Sequence, residues 1–309
     1  MWVYVINRLA FLPVLVLAVS LVTFTLVQVG PGDPVVAMLG NRYSEERANL
    51  IREEFGLNRP FYVQYVDYMQ GFVRGDFGES FRYRGQPVRD IIVPKMWVSA
   101  QLSLIALAIS LGVGLPVGFY IAHKQGMWQD PTAVFIALVL MSIPVFISGP
   151  AMLWALCLKL HWIPCSGWGG LWDLRIIVPA IVMGVPGIAG MMRLMRSNTL
   201  DVMGQDFIRT AHAKGLGTIR IDTRHVLRNS MIPIVTILAF SLAGLIGGAF
   251  VIELMMGIPG SGRFLLEAIG SRDYPVIMAS TLIAALFFVL ANLLADITYA
   301  FIDPRIRYQ

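Results

Sequence analysis

The sequence predicts an all-α, polytopic membrane protein with six transmembrane helices. Of its 309 residues, 57% are hydrophobic and only 14% are charged, and the mean hydropathy is +0.69. Soluble domains carry about 25% charged residues. Crossing roughly 30 Å of hydrocarbon takes about 20 apolar residues in a helix. The composition therefore excludes an ordinary soluble domain and requires several long apolar segments.

Six apolar segments are long enough to cross a bilayer, and polar or Pro- and Gly-rich turns bound each of them. They are 9–29, 98–122, 132–158, 176–192, 232–252 and 276–302. The first exceeds the apolar core of a signal peptide, roughly 7–15 residues, so we expect it to remain as a membrane helix. Short connections on one side hold eleven Lys and Arg against four on the other. This bias predicts cytoplasmic N- and C-termini, and the net charge of +5 needs no nucleic acid.

Residues 31–95 form one long connection whose pattern predicts a small helical subdomain on the external side. Ser44 suits the N-cap of a helix that ends at Gly56, with Ala48 and Ile51 on one face. Pro60 suits the first turn of a second helix. Its aromatic residues at helical spacing, which we expect to pack on the membrane domain, are Phe61, Tyr65, Tyr68 and Phe72. The chain thus divides into 1–30, the subdomain 31–95 and a membrane domain 96–309 with five further helices.

Small residues within the predicted membrane helices indicate close packing. Gly114 with Gly118, and Gly244 with Gly248, form Gly-x-x-x-Gly pairs that let two helix backbones approach. Acids are scarce in these helices, and we interpret Asp296 as a helix-end acid paired with a neighbouring Arg. The sequence therefore lacks the row of carboxylates that a proton-driven pump uses.

The longest inner segment, 193–229, is polar and contains a predicted surface helix at about 206–217. One side of that helix carries Phe207, Thr210, Ala211 and Lys214. Gly215 or Gly217 is expected to end it. From composition alone, a basic helix resting on anionic lipid is an alternative.

An ordered set of motifs along nearly the whole chain resembles the permease subunits of bacterial oligopeptide, dipeptide and nickel ABC importers. The subunit it resembles is the one that begins directly with its first membrane helix. The motifs are Pro31-Gly-Asp-Pro34, Gly56-Leu-Asn-Arg-Pro60, Gly75-Asp-Phe-Gly78, Arg209-Thr-Ala-His-Ala-Lys-Gly-Leu216, Gly257-Ile-Pro-Gly-Ser-Gly262, Arg272-Asp-Tyr-Pro275 and Asp303-Pro-Arg-Ile-Arg-Tyr308. Each motif alone is weak, whereas the ordered set is specific.

The resemblance implies that 206–217 is the coupling helix, which docks in a groove on a cytoplasmic ATPase subunit. The implied ATPase-coupling residues are Phe207, Arg209, Thr210, Ala211, Ala213, Lys214, Gly215 and Leu216. Arg209 stands where the general importer motif has Glu, a departure that matches the peptide-type branch. Small residues suit a helix seated deep in a groove, so we expect Gly215 to resist enlargement.

The implied function is half of a translocation pathway for peptides in the bacterial inner membrane. The implied partners are a homologous second permease, two ATP-binding subunits, an external substrate-binding protein and membrane lipid. No Gly-x-x-x-x-Gly-Lys-Ser/Thr stretch occurs in the sequence, so we expect partner subunits to bind ATP and Mg²⁺. We expect no cofactor or metal in this chain. Nickel, glutathione and oligosaccharide remain alternative cargoes.

Other function classes explain the sequence less well. Ser261 lies between two glycines, but no predicted His partner makes it a nucleophile of an intramembrane enzyme. His212, His225 and Asp222 match no common metal-ligand spacing. An ion-coupled secondary transporter would need titrating groups in its spans. The two cysteines, Cys157 and Cys165, are interpreted as unpaired.

Overall fold

The computed structural model describes residues 2–29, 33–40, 43–245 and 249–302; the side chains of 2–12, 29, 37, 236, 239, 243 and 295–302 lie outside the described part. Helices dominate this part of the chain, and its one β feature is an isolated antiparallel bridge between Glu79 and Pro87. The predicted all-α class is confirmed.

The helices are α1 (Trp2–Val29), α2 (Pro34–Leu39), α3 (Glu45–Glu54), α4 (Phe61–Val73), α5 (Val88–Ala122), α6 (Gln129–Ser142), α7 (Val145–Leu153), α8 (Ile177–Met203), α9 (Asp206–Ala213), α10 (Thr218–Ile221), α11 (Arg228–Ser230), α12 (Ile232–Ala243), α13 (Phe250–Met255), α14 (Ser261–Ser271) and α15 (Tyr274–Ile302). A π-helical turn at Trp154–Lys159 continues α7, and another at Asp222–Leu227 joins α10 to α11. A 3₁₀ turn at Leu174–Ile176 leads into α8.

Four helical stretches are long and apolar enough to cross a membrane. They are Val88–Ala122, Leu174–Met203, Thr218–Leu242 and Tyr274–Leu294. A fifth candidate is the pair of helices Gln129–Ser142 and Val145–Lys159, whose axes are bent by 90°. Within α1, the part whose side chains are described, Pro13–Gln28, is a shorter apolar helix. The polytopic membrane fold is confirmed, whereas the number of six spans stays a prediction.

The predicted span 132–158 is not one straight helix. Ile143 is extended (φ −80°, ψ 112°) between α6 and α7, and Pro144 follows it. A proline cannot donate the backbone hydrogen bond that would continue α6, and it disfavours helical backbone at the preceding residue. The predicted span 232–252 also changes, because α12 ends at Ala243 and the candidate span runs back to Thr218.

Backbone packing divides the chain into two compact units. The first unit comprises the described residues of Met1–Ser99, Ile246–Phe250 and Pro259–Leu290. The second unit comprises the described residues of Ala100–Leu245, Val251–Ile258 and Ala291–Gln309.

In the first unit, the predicted helical subdomain has the expected elements. The Ser44 hydroxyl accepts a hydrogen bond from the Arg47 N–H at 3.4 Å and caps α3, whose Ala48 and Ile51 are buried. Gly56 follows α3 with a φ of +64°, a conformation that glycine adopts readily. The aromatic stripe of α4 packs on the membrane helices as predicted: Tyr65, Tyr68 and Phe72 surround a core made by Phe24, Met278 and Leu282.

Asp273, just before α15, fastens the subdomain through a buried carboxylate that the sequence patterns did not single out. The carboxylate accepts hydrogen bonds from the N–H groups of Phe81 (3.0 Å) and Arg82 (3.3 Å) and from the Ser80 hydroxyl. Burying a carboxylate is costly unless it is hydrogen-bonded, so these three hydrogen bonds offset the free-energy cost of burying Asp273.

The second unit is organised around α8, against which α6, α7, α11 and α12 all pack. The cysteines also lie in this unit, and the prediction that they are unpaired is wrong. Cys157 and Cys165 form a disulfide with a Cα–Cα distance of 5.3 Å. Two cysteines eight residues apart meet because the chain reverses direction after the π turn, with His161 at a φ of +54°. Counting cysteines does not reveal such a reversal.

Candidate coupling segment

The coupling segment, residues 206–217, consists of α9 and the turn that follows it. Its end is a Schellman motif: the Leu216 N–H donates to the Ala211 carbonyl at 3.3 Å and the Gly215 N–H to the His212 carbonyl at 2.9 Å. Gly215 has the positive φ of +74° that this motif requires. The expectation that a glycine ends the helix is therefore confirmed, and the helix itself is shorter than the segment, Asp206–Ala213.

A small apolar cluster fixes the coupling segment to the rest of the unit. Ile208 and Ala211 of α9 are buried together with Ile221 and Val226. Around this core pack the half-buried side chains of Phe119 on α5, Val202 and Met203 on α8, and Leu216. A close-packed cluster transmits displacement because its members cannot move independently. The segment is therefore mechanically linked to both long helices.

The predicted coupling residues divide into an inner and an outer set. Ala211 is buried and Leu216 is half-buried against the chain's own cluster. The exposed members are Phe207, Arg209, Thr210, Ala213, Lys214 and Gly215. Phe207 is 43% exposed, and Ile219, which the sequence prediction omitted, is 81% exposed. Ile208 and Ala211 are three residues apart, a spacing that places both on one face of a helix but does not indicate that this face is buried.

Gly215 has open space around it within this chain. A Cβ atom placed on Gly215 would meet nothing within 4 Å, and the same holds for Gly217. Gly217 differs in its backbone, because its φ is −63°. Any steric resistance of Gly215 to enlargement would have to come from a partner, whereas its positive φ disfavours other residues in any case.

Three polar pairs lie in the same compact unit as the coupling segment. The two guanidinium nitrogens of Arg196 on α8 reach the carboxylate oxygens of Asp130 on α6 at 2.5 and 2.6 Å, and Asp130 is buried. The His123 ring, at the end of α5, lies with Nδ1 3.0 Å from the Phe119 carbonyl and Nε2 3.2 Å from an Asp222 carboxylate oxygen. The exposed Asp206–Arg209 pair at 3.4 Å contributes little, as solvent-exposed ion pairs do.

The first Gly-x-x-x-Gly pair faces α8. A Cβ on Gly114 would lie 2.8 Å from the Ile188 carbonyl oxygen, and one on Gly118 would lie 2.8 Å from the Met195 Cβ. For the second pair, Gly248 lies outside the described residues. Gly244 is the C-cap of α12, and a Cβ there would meet only the Ser241 carbonyl of its own helix, at 3.5 Å.

Two family models match the chain. The model described as binding-protein-dependent transport system inner membrane component matches residues 114–308, and its N-terminal companion matches 1–100. The chain belongs to this family of inner-membrane transport components. It is a multi-pass membrane permease of the ABC-importer type and not an enzyme, since ATP hydrolysis belongs to separate subunits in this family.

Several curated relatives match this permease from end to end. The oligopeptide transport system permease protein AppB of Bacillus subtilis (strain 168) is 36% identical over 99% of both chains. The dipeptide transport system permease protein DppB of Escherichia coli (strain K12) is also 36% identical over 99% of both. The glutathione transport system permease protein GsiC of Escherichia coli O1:K1 / APEC is 35% identical over 99% of both.

A solved structure supports the fold of the permease. A chain of the MetNI methionine ABC transporter, in an inward-facing crystal form, aligns with a TM-score of 0.52 and 18% identity. The alignment covers 69% of this permease and 96% of that chain. At this identity the likeness concerns the fold alone.

The remaining candidates of the sequence take part in no described catalytic or metal cluster. Ser261 begins α14, where its N–H donates to the Ser99 hydroxyl oxygen at 2.8 Å. Among the residues described, His, Cys, Asp and Glu form no group of three that could hold a metal ion. The side chain of Asp296 and the motif at 303–308 lie outside the described part of the permease.

Proposed function

We propose that this permease forms half of the translocation pathway of an ATP-driven importer of peptides. End-to-end similarity to relatives named for oligopeptides, dipeptides and glutathione supports a peptide cargo. The proposed partners are a homologous second permease, two ATP-binding subunits that hold ATP and Mg²⁺, and an external binding protein that delivers the cargo. The chain itself holds no cofactor, and both of its termini are cytoplasmic.

The observation that carries the proposal is the two-sided character of the coupling segment. Phe207 and Ile219 are large apolar side chains that are exposed, and the charged residues Arg209 and Lys214 are exposed as well. Ile208 and Ala211 of α9 are buried against the cluster. An exposed aromatic surrounded by charged residues is typical of an anchor that enters a pocket on a protein partner.

The proposed mechanism follows from this arrangement. Closure of the two ATPase subunits around ATP displaces the coupling segment, and the apolar cluster passes the displacement to Phe119 on α5 and to Val202 and Met203 on α8. Because both are long apolar helices, a small shift at the cytoplasmic end becomes a rearrangement of the pathway between α5, α8 and the second permease.

Phe207→Asp tests the docking role. Acidic residues are favourable in the first turn of a helix, so α9 is expected to form in the variant. Burying an unpaired carboxylate in a partner's groove should weaken assembly by 10- to 100-fold or more. The measurement is co-purification of the ATPase subunits with the permease, together with peptide uptake.

The control is Val73→Asp, at an 82% exposed apolar residue of α4 far from the segment along the chain. It should leave ATPase binding unchanged. If Phe207→Asp also retained the ATPase subunits and uptake, the segment would have no docking role. Gly215→Glu is a poorer test because the positive φ of Gly215 adds backbone strain, whereas Gly217→Glu adds the same charge without it.

A further inference from the structure

We propose that the α7 segment, Val145–Lys159, lies flat in the membrane–water interface, and that the loop after it inserts tryptophans into the phospholipid headgroup region. The proposal concerns a lipid-binding element where a second half of a transmembrane span was expected. It is independent of the transported cargo and of the ATPase docking.

The first argument is the direction of the segment. Asp130 of α6 pairs with Arg196 of α8, and Ala137 packs in a cluster with Ala189. The contact moves from residue 130 to 137 on α6 while it moves from residue 196 to 189 on α8, so the two helices run antiparallel. With 27 residues, α8 is about 40 Å long at 1.5 Å per residue and crosses the bilayer. A segment bent by 90° from α6 therefore runs close to the membrane plane.

The second argument is the apolar stripe along the segment. Ile147, Ala151, Trp154 and Leu158 are all exposed and recur at intervals of four, three and four residues. The other side is covered, since Gly149 and Cys157 are buried. An exposed stripe without a polar residue is unfavourable in water, whereas it suits the boundary between headgroups and acyl chains. Its Lys159 ammonium lies 5.4 Å from the Trp154 ring centroid and can reach lipid phosphates.

The third argument is the loop that follows. Trp172 is 99% exposed and Trp162 is 67% exposed. The Cys157–Cys165 disulfide ties this loop to the α7 segment, and the Gly167 N–H donates to the Met256 carbonyl at 2.8 Å. Tryptophan is enriched at the membrane interface because its ring is apolar and its N–H requires a polar partner. The disulfide therefore holds the start of this loop, which includes Trp162, close to the end of the α7 segment.

A protein partner is the competing occupant of this surface, and continuity favours lipid. Phe135 and Val139 of α6 are exposed on a helix of the membrane-spanning layer, and the exposed side chains of Ile143 and Phe146 continue this apolar surface into the α7 segment. Along the chain, the exposed apolar residues of α6 and α7 are followed, after the 90° bend, by Trp154 and Lys159. That order matches the sequence of environments from hydrocarbon to headgroup.

Nitroxide depth measurements in phospholipid nanodiscs test the proposal. Single labels at Ile147→Cys and Trp154→Cys, seven residues apart, are compared with labels at Phe135→Cys and Ser142→Cys, which have the same separation on α6. The native disulfide stays oxidised and does not react. The α6 pair should differ in depth by about 10 Å, from 1.5 Å per residue, and the α7 pair by no more than about 3 Å.

Two outcomes would overturn the proposal. A depth difference of about 10 Å within the α7 pair would mean that the segment continues the span. Labels at 147 and 154 that collide with neither dissolved oxygen nor a lipid-soluble relaxation agent would mean that protein covers the stripe. A second measurement checks the loop: lipids brominated near the headgroup should quench wild-type tryptophan fluorescence more than that of Trp172→Phe, and equal quenching would remove the loop from the interface.

Discussion

One acidic side chain outside the predicted membrane helices, Asp33, joins two helices of the helical subdomain. Asp33 caps α2 by accepting from the Val35 N–H at 2.8 Å, and Arg52 of α3 donates to the same carboxylate at 2.5 Å. Burial raises the pKa of Asp33, but the hydrogen bonds from Arg52 and Val35 outweigh it and hold the pKa below the ordinary 3.8. The ionised carboxylate is thus favoured in the folded state.

This lowered pKa predicts a pH-dependent contribution to stability. Because the folded-state pKa lies below the unfolded value, the contribution is complete above about pH 4, the ordinary range of Asp, and is lost as pH falls through the folded value. Asp33→Asn should lower the free energy of unfolding at pH 7 by about 1 kcal/mol or less, as for a partly exposed ion pair, and thereby lower the unfolding temperature. At pH 3 and below, the variant and the wild type should approach each other.

The matched control is Asp67→Asn, whose partner Arg59 lies 2.9 Å away but in a pair that is more than half exposed. Its unfolding temperature should match the wild type at both pH values. A difference between wild type and Asp33→Asn that stayed constant from pH 7 to pH 3 would argue against the role of the carboxylate charge.

Helix packing in the second unit depends on where a glycine lies on α5. Gly112 and Gly114 are two residues apart, yet a Cβ on Gly112 would meet nothing within 4 Å, whereas one on Gly114 would lie 2.8 Å from both the Ile188 carbonyl oxygen and the Met191 Cβ. A backbone atom cannot move aside as a flexible side chain can. Of these two glycines, therefore, Gly114 is the one required for close approach of α5 and α8.

Gly114→Ala should accordingly destabilise the permease by about 1–3 kcal/mol through overpacking. Gly112→Ala should be neutral or stabilising by up to about 1 kcal/mol, because alanine is the better helix former. The measurement is the unfolding temperature of the purified permease in detergent, taken for both variants side by side. Equal temperatures for the two variants would show that α5 does not approach α8 closely at Gly114.

The charge count predicts the orientation of the chain in the membrane, and this prediction can be tested on residues of equal exposure. Val73 is 82% and Ile219 81% exposed, so a thiol at either position is equally accessible. A membrane-impermeant maleimide should label Val73→Cys in intact spheroplasts and Ile219→Cys only in inverted vesicles. The native cysteines form a disulfide and give no background. The opposite labelling would invert the topology and place the coupling segment outside.

Local signals made much of the fold predictable. The low charge and the apolar segments determine the membrane class, because transfer of each helix into hydrocarbon depends on its own composition. Ser44 and Gly56 marked the ends of α3, and Gly215 marked the end of α9, because caps are formed by neighbours along the chain. The coupling role of residues 206–217 stays a prediction, which depends on the resemblance of an ordered set of motifs.

The features that escaped prediction depend on residues that meet through folding. Asp273 finds its donors at Ser80, Phe81 and Arg82, more than 190 residues away along the chain. The inward face of α9 is decided by Phe119 and Val226, which helical spacing alone does not reveal. Composition cannot distinguish an apolar helix that spans the membrane from one that bends away, and a count of cysteines does not reveal a chain reversal. The right angle after Ser142 and the Cys157–Cys165 disulfide are therefore seen only in the folded chain.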